Sequence, residues 1–289
     1  MPELPEVETI VRELNKKILG RIFIDVWTDF PKSIKKPKSF QEFRKSLKKK
    51  KILGVKRRAK NIILTLSSSK SLLIHQKLTG HLLSGSWIFK KKTWVPKARG
   101  ILDEKANQYI HLMFFLDRNM MLALSDKRKF AKIELWNTKD LEKDLKSLGP
   151  EPLDPGFTFE KFKQCLETRK RGKIKQVLMD QSVIAGVGNI YSDEILFRAG
   201  VYPLRQVSSL KEEELKRMFR FLKEVLNRSI KLKGESFSDF RTLSGEKGGF
   251  DTIRKVYGRK GERCSGCKAR IQRIKIGSRS AHFCPKCQK

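Results

Sequence analysis

The chain has 289 residues, with 65 Lys+Arg against 31 Asp+Glu and a net charge of +34. An excess of that size points to a polyanionic partner, nucleic acid ahead of a membrane surface. No run approaches the roughly 18 uninterrupted apolar residues of a membrane span, and no charged-then-apolar leader precedes the first helix, so a soluble intracellular protein is expected.

The chain opens Met1-Pro-Glu-Leu-Pro-Glu-Val-Glu8. Pro5 in a first turn, acids at the positive end of the dipole and an apolar stripe of Val7, Ile10, Val11, Leu14 and Ile18 predict a helix. The same stretch has a chemical reading. A small second residue permits removal of Met1, which leaves Pro2 as a secondary amine, partly neutral near pH 7. Such an amine attacking a sugar C1′ forms an iminium, a Schiff-base type of intermediate, with Glu3 beside it as acid or base.

Apolar alternation then predicts strands over residues 21–30, 71–75, 109–116, 120–125 and 131–136, and two strands around a basic turn over residues 51–66. That turn holds Lys56-Arg-Arg-Ala-Lys60. Asp126-Lys-Arg-Lys-Phe130 sets an aromatic among bases, either a wedge for a base stack or a lid on the core. Three prolines and two glycines within residues 148–156 mark a linker. Beyond it the period turns helical, over residues 159–168, 174–180, 189–199 and 210–232, with Thr158 as a cap and Gly200 and Gly234 as stops. Gly186-Val-Gly-Asn189 offers close backbone approach and a helix N-terminus for an anion, with Asn189 as its cap. Residues 235–253, rich in Ser, Gly, Asp and Lys, read as a mobile loop, and Cys165 as a buried thiol without a role.

The tail carries Cys264-Ser-Gly-Cys267 and, sixteen residues on, Cys284-Pro-Lys-Cys287. Paired thiols at this spacing predict one structural Zn2+ with no open coordination position, on a hairpin that turns at Gly277-Ser278 and presents Arg279. The fold class is α+β. A helix plus β-sandwich domain spans residues 1–136, a linker 137–156, a helical domain 157–254 and the zinc finger 255–289.

Together these motifs resemble the formamidopyrimidine-DNA glycosylase family over essentially the whole chain. The carriers are the residues from Pro2 to Thr9, Arg57-Arg-Ala-Lys60, His75 with Thr79-Gly80, Asp126 with Arg128 and Phe130, Gly186-Val-Gly-Asn-Ile-Tyr191, Val256-Tyr-Gly-Arg259 and the cysteine tail. The resemblance implies a helix-two-turn-helix in the helical domain and a bifunctional DNA glycosylase/AP lyase of base excision repair that removes oxidised purines. In that scheme Pro2 attacks C1′, Glu3 protonates the sugar ring oxygen, Lys60 assists β-elimination and Arg279 grips phosphate for δ-elimination. His75 and Asn189 match phosphate-binding positions, and Tyr109, Lys170, Lys175 and Arg259 are further DNA contacts. Leu78, Arg128 and Phe130 would fill the stack vacated by a flipped base. His75-Gln-Lys-Leu-Thr-Gly80 departs from the family's His-Leu-Gly-Met-Ser-Gly, with Lys77 in place of a glycine and Leu78 in place of a methionine. The partner implied is double-stranded DNA with oxidised bases or abasic sites, bound by a monomer in the cytoplasm of a bacterium, at the nucleoid. The alternatives are the same chemistry on oxidised pyrimidines or hydantoins, a non-catalytic binder of damaged DNA, and an RNA-binding zinc protein.

Overall fold

The computed structural model describes residues 1–236 and 239–289. They divide into two compact units. Unit 1 comprises residues 1–145 and 232–249, and unit 2 residues 146–231 and 250–289.

Unit 1 starts with α1 (Leu4–Ile18), whose five predicted stripe residues are all buried. Each such side chain contributes roughly 1.5–3 kcal/mol on burial. The chain continues through β1 (Phe23–Thr28), β2 (Ile34–Lys36), α2 (Phe40–Leu47), β3 (Ile52–Arg58), β4 (Asn61–Leu66), β5 (Lys70–His75) and β6 (His81–Gly85). A β7–β8 hairpin (Trp87–Lys90, Thr93–Pro96) follows, then β9 (Ile110–Leu116), β10 (Met121–Ser125), β11 (Lys132–Asn137) and α3 (Thr138–Asp144). Two sheets form, ordered β1-β9-β10-β6 and β2-β11-β5-β4-β3, with only the β2–β11 pair parallel among the named strands. Phe23, Leu64, Ile74, Phe114 and Ile133 meet in their shared core. Asn15 ties α1 to β3, its amide donating to the Val55 carbonyl at 2.7 Å.

The 235–253 segment, expected as a mobile loop, is tied to the sandwich at several points. Phe237 and Ser238 lie outside the described residues, but Glu235 and Gly249 pair as an antiparallel bridge. Leu243 is fully buried in the sandwich core. Its N–H donates to Glu13 Oε2 at 2.7 Å, and its carbonyl accepts from Ser84 N–H at 2.8 Å. Phe240 and Leu243, both in that core, therefore seat a polar segment.

Unit 2 contains α4 (Phe159–Glu167), α5 (Ile174–Met179), α6 (Asn189–Ala199) and α7 (Glu212–Lys231). Thr158 caps α4 as expected, accepting from Lys161 N–H. Phe157, Phe159, Phe162 and Phe219 pack ring against ring. In α6, Tyr191 is buried and its hydroxyl meets Ser229 Oγ of α7 at 2.6 Å. The N-cap of α6 is Gly188, so Asn189 is the first helical residue and its side chain does not cap. Cys165 is only partly buried. The chain closes on the hairpin of β12 (Gln272–Ile276) and β13 (Arg279–Phe283). Among the described residues, no helix is long and apolar enough to cross a membrane.

Candidate active site

In unit 1 the site grows from the start of α1. Glu3 N–H donates to Glu6 Oε2 at 2.8 Å, and Glu6 Oε1 accepts from Glu235 N–H at 2.8 Å. Both carboxylates are buried. A Cβ on Gly234, at φ +85°, would lie 2.8 Å from Glu6 Oε1, so only glycine lets this segment come so close. Glu6 was absent from the sequence-derived site. Its role shows only in the 229-residue separation of its hydrogen-bond partner.

Burial pushes the α-amine of Met1 below its ordinary value. The charges of Glu3 and Glu6 oppose that shift, and Lys60 reinforces it. Lys60 itself is buried, after Ala59 at φ +53° in the turn between β3 and β4. Arg57 places the turn: its Nε donates to Glu8 Oε2 at 2.9 Å and its Nη1 to the Ala59 carbonyl at 3.1 Å. Burial acts to raise the Glu8 pKa, but hydrogen bonds from Arg12 and Arg57 outweigh it and hold the carboxyl below its ordinary range. The structure thus gathers the chain's amine and the buried Glu3, Glu6 and Lys60 into one electrostatic group.

Two loops of unit 1 are bound together beside it. Asp126, buried, accepts from Thr79 Oγ1, from Arg128 N–H at 3.3 Å and from Ala131 N–H at 2.7 Å. Thr79 Oγ1 accepts from Arg128 N–H at 3.1 Å. Leu78, on one loop, and Arg128 and Phe130, on the other, are therefore carried by a single braced support. Phe130 is 50% exposed, so it does not close the core; the Arg128 guanidinium stacks 4.7 Å from its ring centroid. Tyr109 is half-buried, with the Lys127 ammonium 5.9 Å from its ring.

His75 ends β5. Burial, then the charges of Lys77, Lys60 and Lys132, push its pKa down to about 3. Its Nδ1 accepts from Lys77 N–H at 3.0 Å, which leaves the proton of the neutral ring on Nε2 as a donor. Next to it, Gln76 is buried, and neither atom of its amide finds a partner among the described residues. A Cβ on Gly80 would sit 2.4 Å from the Gln76 carbonyl oxygen, so glycine is needed to close this loop.

In unit 2, Gln181 secures the turn before α6. Its Oε1 accepts from Gly186 N–H and its Nε2 donates to the Met179 and Val187 carbonyls, each at 2.8 Å. Asn189 follows at the head of α6, half-buried, with Oδ1 unpartnered among the described residues. Lys175, expected to contact DNA, is 1% exposed, and its ammonium pairs with the equally buried Asp193 at 2.5 Å. A buried ammonium needs a carboxylate, and α6 supplies one. Asp193 Oδ2 also accepts from His282 N–H at 2.8 Å, which fixes β13 to α6. Arg279, at the start of β13, is exposed and lines a cavity of about 230 Å³ with Gln176, Asp180 and Ser278. Lys170 is exposed. Arg259 is turned inward: its Nη1 donates to the Arg254 carbonyl at 3.0 Å and its Nε to Glu262. Glu194, unremarked in the sequence, is fully buried and accepts from the N–H groups of Lys255, Val256 and Tyr257.

The sulfurs of Cys264, Cys267, Cys284 and Cys287 all lie within 4.8 Å of one another. Cys264–Cys287 and Cys267–Cys284 separations are 3.8 and 3.3 Å. Tetrahedral zinc with bonds of about 2.3 Å sets sulfurs about 3.8 Å apart, so the cluster fits one structural zinc.

Comparison with known proteins agrees with this arrangement. Residues 1–133 match the formamidopyrimidine-DNA glycosylase N-terminal domain, residues 148–241 its H2TH domain, and residues 261–289 the zinc finger found in FPG and IleRS. A formamidopyrimidine-DNA glycosylase of Herpetosiphon aurantiacus is 37% identical, and one of Heliobacterium modesticaldum 39%, each alignment covering 100% of both chains. Among solved structures, the Lactococcus lactis FPG in complex with Fapy-dG-containing DNA superposes with a TM-score of 0.85 at 32% identity, covering 99% of this chain and 100% of that one. The L. lactis Fpg complex with abasic-site DNA gives 0.85 at 32% identity over 99% of each. The fold and site thus define a zinc-finger protein of helix-two-turn-helix type with an N-terminal β-sandwich domain. The chain belongs to the formamidopyrimidine-DNA glycosylase family.

Proposed function

We propose that this chain is a bifunctional DNA glycosylase and AP lyase of base excision repair. Its substrate is duplex DNA carrying formamidopyrimidines, 8-oxoguanine or abasic sites, met by a monomer on bacterial chromosomal DNA. The observation that carries this reading is the N-terminal amine, grouped with the buried Glu3, Glu6 and Lys60 in surroundings that depress its pKa.

After loss of Met1, the same surroundings favour a neutral, nucleophilic Pro2 nitrogen. That nitrogen bonds to C1′ as the C1′–base bond breaks and the base leaves with its electron pair. Glu3 protonates the ring oxygen, the ring opens and an iminium remains. The iminium acidifies C2′, so loss of its proton expels the 3′ phosphate. Loss of a further proton expels the 5′ phosphate. Lys60 grips phosphate and serves the first elimination, and Arg279 serves the second. His75 donates from neutral Nε2 to phosphate, and Asn189, Lys170 and Tyr109 add contacts. Leu78, Arg128 and Phe130 occupy the stack after flipping. Lys175 and Arg259 act at one remove, by holding α5, α6 and the ribbon. Unit 1, residues 1–145 and 232–249, carries the chemistry, and unit 2, residues 146–231 and 250–289, supplies the helical grip and the zinc finger.

Borohydride reduction of the protein on 8-oxoguanine duplex should trap a covalent adduct. Pro2→Gly should lower its yield at least tenfold, because the remaining primary amine is less well shaped for attack. Incision of abasic DNA by the wild type without any trappable adduct would remove the Schiff base from the scheme.

A further inference from the structure

The chain places a lysine where its own backbone asks for glycine. Lys77 sits at φ +57°, in the left-handed region that a residue with a Cβ adopts at a cost. It lies between His75 and Leu78 in the braced loop, half-buried, and its ammonium makes no ion pair among the described residues. Strain kept at such a point needs a return from what the side chain does.

The charges around it indicate what that is. Lys132 is the register partner of His75 across β5 and β11. The charges of Lys60, Lys77 and Lys132 all bear on the His75 ring. Burial, then repulsion from Lys132, lowers the Lys77 pKa, against a weaker pull from Glu134. Glu134 is already engaged, 3.0 Å from Lys132 Nζ and accepting from Trp136 Nε1 at 3.1 Å. The Lys36 ammonium stands 3.4 Å over the Trp136 ring and adds another positive charge to the neighbourhood. Folding alone gains nothing from crowding cations around one committed carboxylate. An anion drawn from solution relieves it.

We infer that Lys77, seconded by Lys132, is a phosphate-binding site in its own right, taking the DNA backbone phosphate next to the one His75 holds. The inference rests on the proposed function, since it presumes that this loop meets a DNA strand. The site delivers charge from the residue directly before Leu78. A backbone grip and the side chain that fills the vacated stack thereby move as one.

The test measures binding of the full chain to a duplex with a single tetrahydrofuran abasic analogue, by fluorescence anisotropy between about 50 and 200 mM salt. One phosphate contact contributes about 0.9 to the slope of log K against log salt. Lys77→Gly should cut the slope by that amount, so the wild-type advantage in affinity shrinks about 3.5-fold across this range. The same variant should melt roughly 2 °C higher, because glycine relieves the backbone. Lys92→Gly, in the β7–β8 hairpin at φ +65°, gives the same backbone relief and removes the same charge, and should leave the slope unchanged. An unchanged slope in Lys77→Gly, or an equal drop in Lys92→Gly, overturns the phosphate site. Lesion cleavage and borohydride trapping by the wild type are read on the same preparation; their absence defeats the proposed function instead, and so keeps the two failures apart.

Discussion

At the scale of single residues, Gln76 is the clearest conflict between local chemistry and surroundings. Its amide is buried without a hydrogen bond among the described residues, beside the loop that carries Lys77 and Leu78. An unsatisfied buried polar group costs about 1–3 kcal/mol. Replacing it with an apolar residue of similar length should therefore return most of that cost. Gln76→Leu is expected to stabilise the protein by about 1–2 kcal/mol, read as a higher urea midpoint with an unchanged m-value. A lower midpoint would mean that the amide has a partner in solution, such as an ordered water. Glu6 and Asp126 show the opposite case. Each is a buried carboxylate whose oxygens are taken up by N–H or O–H donors, so burial there fixes position. They brace Glu3 in one place and the loops that carry Leu78, Arg128 and Phe130 in another.

At the scale of elements, some parts were legible in the sequence and others were hidden for physical reasons. The stripe on α1 follows from burial on one face, so its period revealed it, while β9 and β10, buried on both faces, show as short apolar runs. The β7–β8 hairpin escaped because its two-residue turn uses Lys91 and Lys92, both at positive φ, where Asn-Gly is the usual signal. The 235–249 segment escaped because only Phe240 and Leu243 anchor it, and two apolar residues among polar ones set no period. In the candidate site, the local motifs already pointed to Glu3 and Lys60, which the structure groups with the amine, and to the four clustered cysteines. Asp193 could not be read that way, since it joins Lys175, 18 residues away, to His282, 89 residues away. That junction makes α5, α6 and β13 one element of stability. Lys175→Met leaves Asp193 charged and buried, and should cost about 3–5 kcal/mol of unfolding free energy. Adding Asp193→Asn removes the stranded charge and keeps an acceptor for His282 N–H, so the double variant should regain a large part. A double variant as unstable as the sum of its single changes would show that the two residues are not coupled.

At the scale of the whole molecule, the question is what a net charge of +34 does. Ionic strength separates two answers. Charges far from the bound phosphates act through a field that is screened within about 8 Å at 0.15 M salt, and they speed encounter more than they deepen binding. Charges in contact with phosphate release counterions and appear in the equilibrium slope at about 0.9 each. The cations assigned here to phosphate or to the opened stack are Lys60, Lys77, Arg128, Lys170 and Arg279, while His75 contributes a neutral donor. On a short abasic duplex they predict a slope of about −4 to −5. If every excess positive charge touched the backbone, the slope would approach about −30. Anisotropy titrations should therefore give a value near the first figure, together with an association rate that falls steeply from low to physiological salt. A slope steeper than about −15 would mean that the surplus lysines themselves wrap the duplex, and that the grip extends well beyond the two braced loops, the turn at Lys60, Lys170 and the Arg279 hairpin. A shallow slope with fast, salt-sensitive association would assign the surplus to search along undamaged DNA and leave recognition to the few side chains whose geometry the fold controls.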